Sequence, residues 1–300
     1  MTALRVGTRG STMARSQTAT VVQRLQTAYP DLDIQTVEIV TQGDRDHSET
    51  PAGVGWFTTA IQDALLRDEI DVAVHSYKDL PTKRPAGLTI AAIPLRGDPR
   101  DALVSRGRET LMQLPAGAIV GTGSPRREAQ LLAIRSDIEV RSIRGNVDTR
   151  MRKVESGEYD AIVVALAGLE RLGAAMRAAE VFGVYDLLPA PAQGALAVEC
   201  RTGDAETRRL LQAIDDPSLR PAVSAERAFL AAIDAGCRFP AAAYAEHFGS
   251  TIKLHAMLAN EGRIVRSKMA GSSETAAGLG RQLAAELMAL AGMEPGASRP

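Results

Sequence analysis

Apolar and polar positions along the chain follow two rhythms. LRVGT (4–8) reads as a buried strand, and a helical pattern opens at Ser11 and runs to about Thr27. IQTVEIV (34–40) predicts a strand. FTTAIQDALLR (57–67) places Phe57, Ile61, Ala64 and Leu65 at helical spacing. DVAVHS (71–76) and LTIAAIPL (88–95) predict two more strands. Short apolar runs alternating with helical segments predict an α/β sheet with parallel strands.

The rhythm restarts near residue 100. DALVS, AIVGT (118–122), the helical SPRREAQLLAIR, EVRSI (139–143), a helix from Asn146 to about Glu155, and YDAIVVAL (159–166) predict a second α/β lobe. ALAVEC (195–200) is a further strand whose lobe the local pattern leaves open. After about residue 216 the character changes. A long helix, SLRPAVSAERAFLAAIDA, is expected to end at Gly236. Alternating segments AYAEHF, TIKLHAML and IVRSKMAG, separated by turn signals, then predict an antiparallel meander closed by a helix. The reading is two α/β lobes and a smaller α+β domain.

Composition narrows the function. The chain has 300 residues, 45% hydrophobic and 24% charged, with a formal net charge of −1. That excludes a protein that coats nucleic acid by bulk positive charge. No stretch approaches 18 apolar residues without a charge, so no membrane span is expected. The N-terminus lacks an apolar signal core, and two cysteines, Cys200 and Cys237, make no disulfide scaffold. Both features point to the cytoplasm. The four histidines are not at ligand spacing, so no metal is expected. There are 30 Arg and only 5 Lys. The plain reading of that skew is codon bias from a GC-rich genome; the other is that some of these guanidiniums clasp carboxylates or phosphates, which Arg does better than Lys.

The cationic groups are concentrated. Residues 121–153 hold eight basic side chains and four acids, a local +4. Arg126 and Arg127 stand in the first turn of the helix after GTGS, where cations oppose the helix dipole. Two together there imply that something negative lies between them. Ser124 precedes them at the helix start, and Arg144 and Arg150 repeat the pattern after the next strand. Arg9 and Ser11 do so after the first. Carboxyl ends of strands are where α/β sheets bind ligands, so these arginines predict a small ligand with several carboxylates or phosphates. Lys78 and Asp79 end the strand of VHSYKDLPT; a carboxylate there is placed to give a proton or stabilise a cation. Cys237, in GCRFP beside Arg238, has the better position for a reactive thiol, and Cys200 reads as a buried structural one. Aromatic residues are 4% of the chain, and none lies in 121–153. An arginine-rich single-strand binder needs them interleaved with the charge, so nucleic acid is not an expected partner.

Taken together, VGTRGS, TQGD, VHSYKDLPT, DPRDALVS, GTGSPRR, IRGNVDTR, GEYDAIVVALAGLERL, LPAPAQGALAVEC, AERAFL and GCRFP, in this order over almost the whole chain, resemble the porphobilinogen deaminase (hydroxymethylbilane synthase) family. The resemblance implies a transferase of tetrapyrrole biosynthesis. It would condense four porphobilinogen molecules head to tail with loss of ammonia, then release hydroxymethylbilane by hydrolysis. It implies a covalent dipyrromethane cofactor on Cys237, a catalytic Asp79, and cofactor contacts from Lys78, Ser124, Arg126, Arg127, Arg144 and Arg150. Arg9, Ser11, Arg171 and Gln193 match substrate-binding positions. The implied fold is two type II periplasmic-binding-protein-like lobes with a cleft between them and an α+β third domain. Its divisions would be 1–96 plus 194–215, 97–193 and 216–300, which returns ALAVEC to the first domain. A monomer is implied.

The chain departs from the family pattern in three places. Val54 and Thr59 stand where many members have Lys, so no binding role is carried onto them. Gly123 replaces a common Ser. Ala241 and Ala242 replace Ile-Gly after Pro240. The competing reading is a non-catalytic, two-lobed anion-binding protein. Fold alone does not separate the two; Asp79 and the Cys237 loop favour the enzyme.

Overall fold

The computed structural model describes residues 3–40, 58–233 and 240–293. The chain divides into two compact units, Met1–Arg96 with Ala195–Arg220, and Gly97–Gly194 with Pro221–Pro300.

The first unit begins with β1 (Leu4–Thr8), α1 (Thr12–Ala28), β2 (Ile34–Glu38), α2 (Thr59–Leu66), β3 (Val72–Ser76) and β4 (Leu88–Ala92). The second holds β5 (Asp101–Ser105), β6 (Ile119–Gly121), α3 (Pro125–Ile134), β7 (Glu139–Arg141), α4 (Val147–Glu155), β8 (Ala161–Ala165), α5 (Leu166–Arg171) and β9 (Glu180–Val181). The chain then returns to the first unit as β10 (Leu196–Arg201) and α6 (Ala205–Gln212). It ends in α7 (Arg220–Ala232), β11 (Ala241–Phe248), β12 (Thr251–Asn260), β13 (Arg263–Ser272) and α8 (Ala276–Leu290). The helix starts are those of the local chemistry. Ser11 and Asn146 accept from the backbone N–H groups of Ala14 and Thr149 at 3.2 and 2.9 Å, and Pro125 follows Ser124 at the first turn of α3.

Both α/β sheets have five strands, in the orders β2-β1-β3-β10-β4 and β7-β6-β8-β5-β9. The two expected α/β lobes are both present, one in each unit. The expectation of parallel strands needs correction. β1 runs parallel to β2 and β3, and β6 to β7 and β8, but β10 is antiparallel to β3 and β4, and β5 to β8 and β9. β5 and β10 each follow directly on a passage of the chain from one unit to the other. No crossover helix connects them to their neighbours, so nothing forces them parallel. The same pairing answers the question that the local pattern leaves open: ALAVEC joins the first sheet.

Each sheet is covered on both faces. In the first, Leu4, Val6, Val72, Val74 and Val198 pack with Val21 and Leu25 of α1, and Ala73 packs on the other face with Ile61 and Leu65 of α2. In the second, Leu103, Val120 and Val163 pack with Leu131 of α3, and Val104, Ile162 and Val164 with Met151 and Val154 of α4. Such two-sided burial gives the near-continuous apolar strand runs of the sequence. The third sheet, β11-β12-β13, is the expected antiparallel meander, and one of its faces is covered by Phe229 of α7 and Leu283 and Leu287 of α8. The long helix preceding it is shorter than its pattern predicts. Pro217–Leu219 form a 3-10 turn before α7, and the expected cap at Gly236 lies outside the described residues.

At the edge of the first unit Asp71 accepts from Arg5 Nη2 (2.7 Å) and Arg201 Nη2 (2.8 Å). Burial raises the Asp71 pKa, but these hydrogen bonds outweigh it and hold the carboxyl at about 2, against 3.8 ordinarily. The native state therefore binds this proton less readily than the unfolded chain. The stabilisation is complete above about pH 4 and is lost as pH falls through about 2. Allowing for solvent screening, Asp71→Asn is expected to cost about 1 kcal/mol at pH 7. Denaturant titrations of both proteins should show that gap close as the pH is lowered from about 4 to 2; a constant gap would exclude the linkage.

Candidate functional site

In the first unit, β1 and β3 are parallel neighbours, so the residues that follow them emerge at the same sheet edge. Arg9 and Ser11 follow β1. Ser11 caps α1, and Arg9 is half-buried. Lys78 and Asp79 lie in the 3-10 turn Tyr77–Asp79 that ends β3. The turn is fastened on both sides. The Tyr77 backbone N–H donates to Ala195 O (3.0 Å), and Leu80, 1% exposed, buries itself immediately after. Asp79 is thus an exposed carboxylate on a fixed turn.

Two features support this edge that sequence reasoning missed. Gln17, buried in α1, donates through Nε2 to Ser76 Oγ at 2.7 Å and ties the Arg9–Ser11 segment to the end of β3. Beneath it, Glu199 of β10 is fully buried, accepts from Gln62 Nε2 at 3.2 and 3.1 Å, and lies 3.2 Å from His75 Nε2. The signal was a polar pair, His75 and Glu199, inside runs otherwise apolar on both faces.

In the second unit, β6, β7 and β8 are mutually parallel in the same way. Ser124 caps α3, with Arg127 N 3.5 Å from its Oγ. Arg126 and Arg127 are 4% and 6% exposed. The negative group implied between them is present, and it belongs to the protein. Asp101, 0% exposed at the start of β5, pairs with Arg126 Nη2 (Oδ2, 2.8 Å) and Arg127 Nη2 (Oδ1, 2.7 Å). Arg126 Nη1 also donates to Leu188 O (2.6 Å), and Arg127 Nη1 to Val163 O (2.9 Å). Burial lowers the Arg126 pKa, and the Asp101 charge opposes that. Both Nε atoms are buried with no hydrogen-bond acceptor among the described residues.

Arg144, after β7, is exposed, and Arg150 in α4 is half-buried with Nε donating to Gly145 O at 2.8 Å. Arg171 and Gln193 brace the segment where the chain leaves this unit. Arg171 Nη2 donates to Gly194 O (2.6 Å), and burial lowers its pKa. Gln193, fully buried, donates to Pro99 O (2.7 Å) and Asp101 Oδ1 (2.8 Å). Gly194 is required here. Its φ is +87°, and a Cβ would lie 2.4 Å from Gly97 O. The neighbouring Ala192 is held at φ +63° by its N–H donating 2.6 Å to buried Glu226 Oε2, whose Oε1 accepts from Ala245 N at 2.8 Å. Cys237 and Val54 lie outside the described residues. Among the described residues no cluster of His, Cys, Asp or Glu could hold a metal, and no helix is long and apolar enough to cross a membrane.

Residues 4–209 match the family described as porphobilinogen deaminase, dipyromethane cofactor binding domain, and residues 221–289 match its C-terminal domain. The chain belongs to the porphobilinogen deaminase family. The porphobilinogen deaminase of Acidothermus cellulolyticus is 49% identical over 96% of this chain and 89% of its own length. That of Roseiflexus castenholzii is 47% identical over 95% of both, and that of Mycobacterium bovis 46% over 97% of both. An ancestral arginine-binding protein bound to arginine aligns at a TM-score of 0.41 and 16% identity, over 71% of this chain and 91% of that one, a similarity too low to inform fold or function.

Proposed function

We propose that this chain condenses four porphobilinogen molecules head to tail, releasing ammonia at each addition, and frees the linear product, hydroxymethylbilane, by hydrolysis. The observation that carries the reading is the juxtaposition, within one unit, of Ser124, Arg126, Arg127, Arg144 and Arg150 at the carboxyl ends of parallel strands. Each porphobilinogen brings an acetate and a propionate, so two linked rings carry four carboxylates. A set of guanidiniums with the Ser124 hydroxyl, and with two buried Nε hydrogens lacking acceptors among the described residues, fits that group. The proposed anchor is a thioether to Cys237. When bound, the dipyrromethane supplies the pyrrole terminus on which the chain grows.

The protein's own groups do the rest. Asp79 delivers a proton to the amine of the incoming substrate, so that nitrogen departs as ammonia instead of amide ion. The carboxylate that remains faces the cationic methylene-pyrrole left behind and stabilises it. Lys78 is assigned to the cofactor's carboxylates, and Arg9 and Ser11, from the same sheet edge, to the substrate's. Arg171 and Gln193 are assigned to substrate through the segment they hold. No metal or nucleotide is needed, because the leaving group departs by protonation.

The test is turnover with mass analysis. Purified protein should carry a two-pyrrole adduct and convert porphobilinogen to a linear tetrapyrrole with four ammonia per product; a chain with neither adduct nor turnover would overturn the reading. A second measurement addresses the arginines. Arg144→Leu is expected to block cofactor loading or elongation, lowering kcat/KM about 100-fold or more through loss of a bidentate carboxylate pair. Unchanged kinetics would remove Arg144 from the site.

A further inference from the structure

Asp101 lies in none of the roles assigned above, yet it is the most buried charge beside them. Its two oxygens are shared out. Oδ1 takes Arg127 Nη2 and Gln193 Nε2, and Oδ2 faces Arg126 Nη2 at 2.8 Å. The opposite corner of each guanidinium is held by a backbone carbonyl, Leu188 O for Arg126 and Val163 O for Arg127. Each plane is therefore fixed at two points and cannot turn. The charge count is as informative as the geometry. Two guanidiniums and one carboxylate leave a single positive charge in a place 4–6% exposed. A buried net charge is unfavourable unless matched, and both Nε atoms are buried without an acceptor among the described residues. Among the described residues the cluster is one anion short.

We propose that Asp101 is a positioning residue of the anion site: it aligns Arg126 and Arg127 as a single site of net charge +1, which accepts one ligand carboxylate and not two. The proposal rests on the reading of these arginines as binders of the pyrrole carboxylates. With Asp101 in place, one half of the doubled cationic site is permanently occupied, and the incoming carboxylate completes the neutral set. Without it, two adjacent guanidiniums repel, lose their shared acceptor, and offer room for a second anion. Gln193 has a defined part: its amide fixes the same Oδ1 and ties that carboxylate to Pro99 O, where the chain enters the unit.

The experiment uses the full chain in three forms. Asp101→Asn, made in porphobilinogen-competent cells, is expected to carry the two-pyrrole adduct on less than about a tenth of its molecules, as loss of a buried ion-pair partner implies. Asp101→Glu keeps the charge but displaces it by one methylene. It should remain loaded and raise KM for porphobilinogen about tenfold with kcat within about twofold, since it disturbs binding and leaves the proton donor alone. In a Cys237→Ala background, free of covalent adduct, thermal melts compare sodium acetate with sodium chloride at equal ionic strength. Acetate should stabilise Asp101→Asn more than the parent, by restoring to the arginine pair the negative charge that the amide lacks, and chloride should not. An equal response to both salts in both proteins, or a wild-type KM in Asp101→Glu, would overturn the proposal. If Asp101→Asn does not fold, Asp101→Glu decides. A wild-type chain without adduct or turnover would overturn the functional reading instead, while the acetate comparison still reports on the hold of Asp101 over the arginines.

Discussion

Asp79→Asn is expected to abolish turnover while leaving the two-pyrrole adduct detectable. The substitution keeps the shape of the side chain and removes both of its chemical abilities. An amide neither delivers a proton at neutral pH nor balances a cation. Loss of general-acid assistance costs about 100- to 10,000-fold, and loss of electrostatic stabilisation of the methylene cation multiplies that. The fold should not notice. Asp79 is exposed, the turn is held by Tyr77 and Leu80, and surface substitutions away from such anchors change stability by about 0.5 kcal/mol or less. Steady-state kinetics, an intact mass and a melting curve on one preparation check all three statements. Near-wild-type activity would remove Asp79 from its assigned role.

Cys237→Ala is expected to lose the adduct, and turnover with it. In the proposed anchoring step the Cys237 sulfur bonds to the methylene carbon of a pyrrole whose amine has left as ammonia, and the thiol proton is released. Alanine has no sulfur to form that bond. The control is the other cysteine. Cys200 is fully buried in β10, and burial pushes its thiol up to about 11. At pH 7 such a thiol is ionised in roughly one molecule in ten thousand, so it is no competitor as nucleophile. Cys200→Ala should therefore keep the full adduct mass. An adduct that survives Cys237→Ala, or a wild-type protein unmodified when made in porphobilinogen-competent cells, would remove the anchor from Cys237.

The readings legible in the residues were local ones. Ser11, Ser124 and Asn146 announce helix starts because a side-chain oxygen satisfies backbone N–H groups two or three residues on. The arginines could be placed at strand ends because strand and helix alternate within a few residues of them. Even the anion between Arg126 and Arg127 was legible as a need, since two cations in a first helical turn oppose the dipole. Its identity was not. DPRDALVS lies some way up the chain from GTGSPRR, and nothing in either segment says that they meet.

Periodicity and capping act over one turn of helix or one span of strand, so the sequence alone determined two α/β repeats, an antiparallel third sheet, and which side chains stand at the open ends. Pairing partners are chosen between segments far apart in the chain, by which apolar faces can be buried together. Only the tertiary structure could therefore decide that β5 and β10 enter their sheets antiparallel, that ALAVEC belongs with β3, and that Asp101, carried in at the head of β5, is the carboxylate on which Arg126 and Arg127 close.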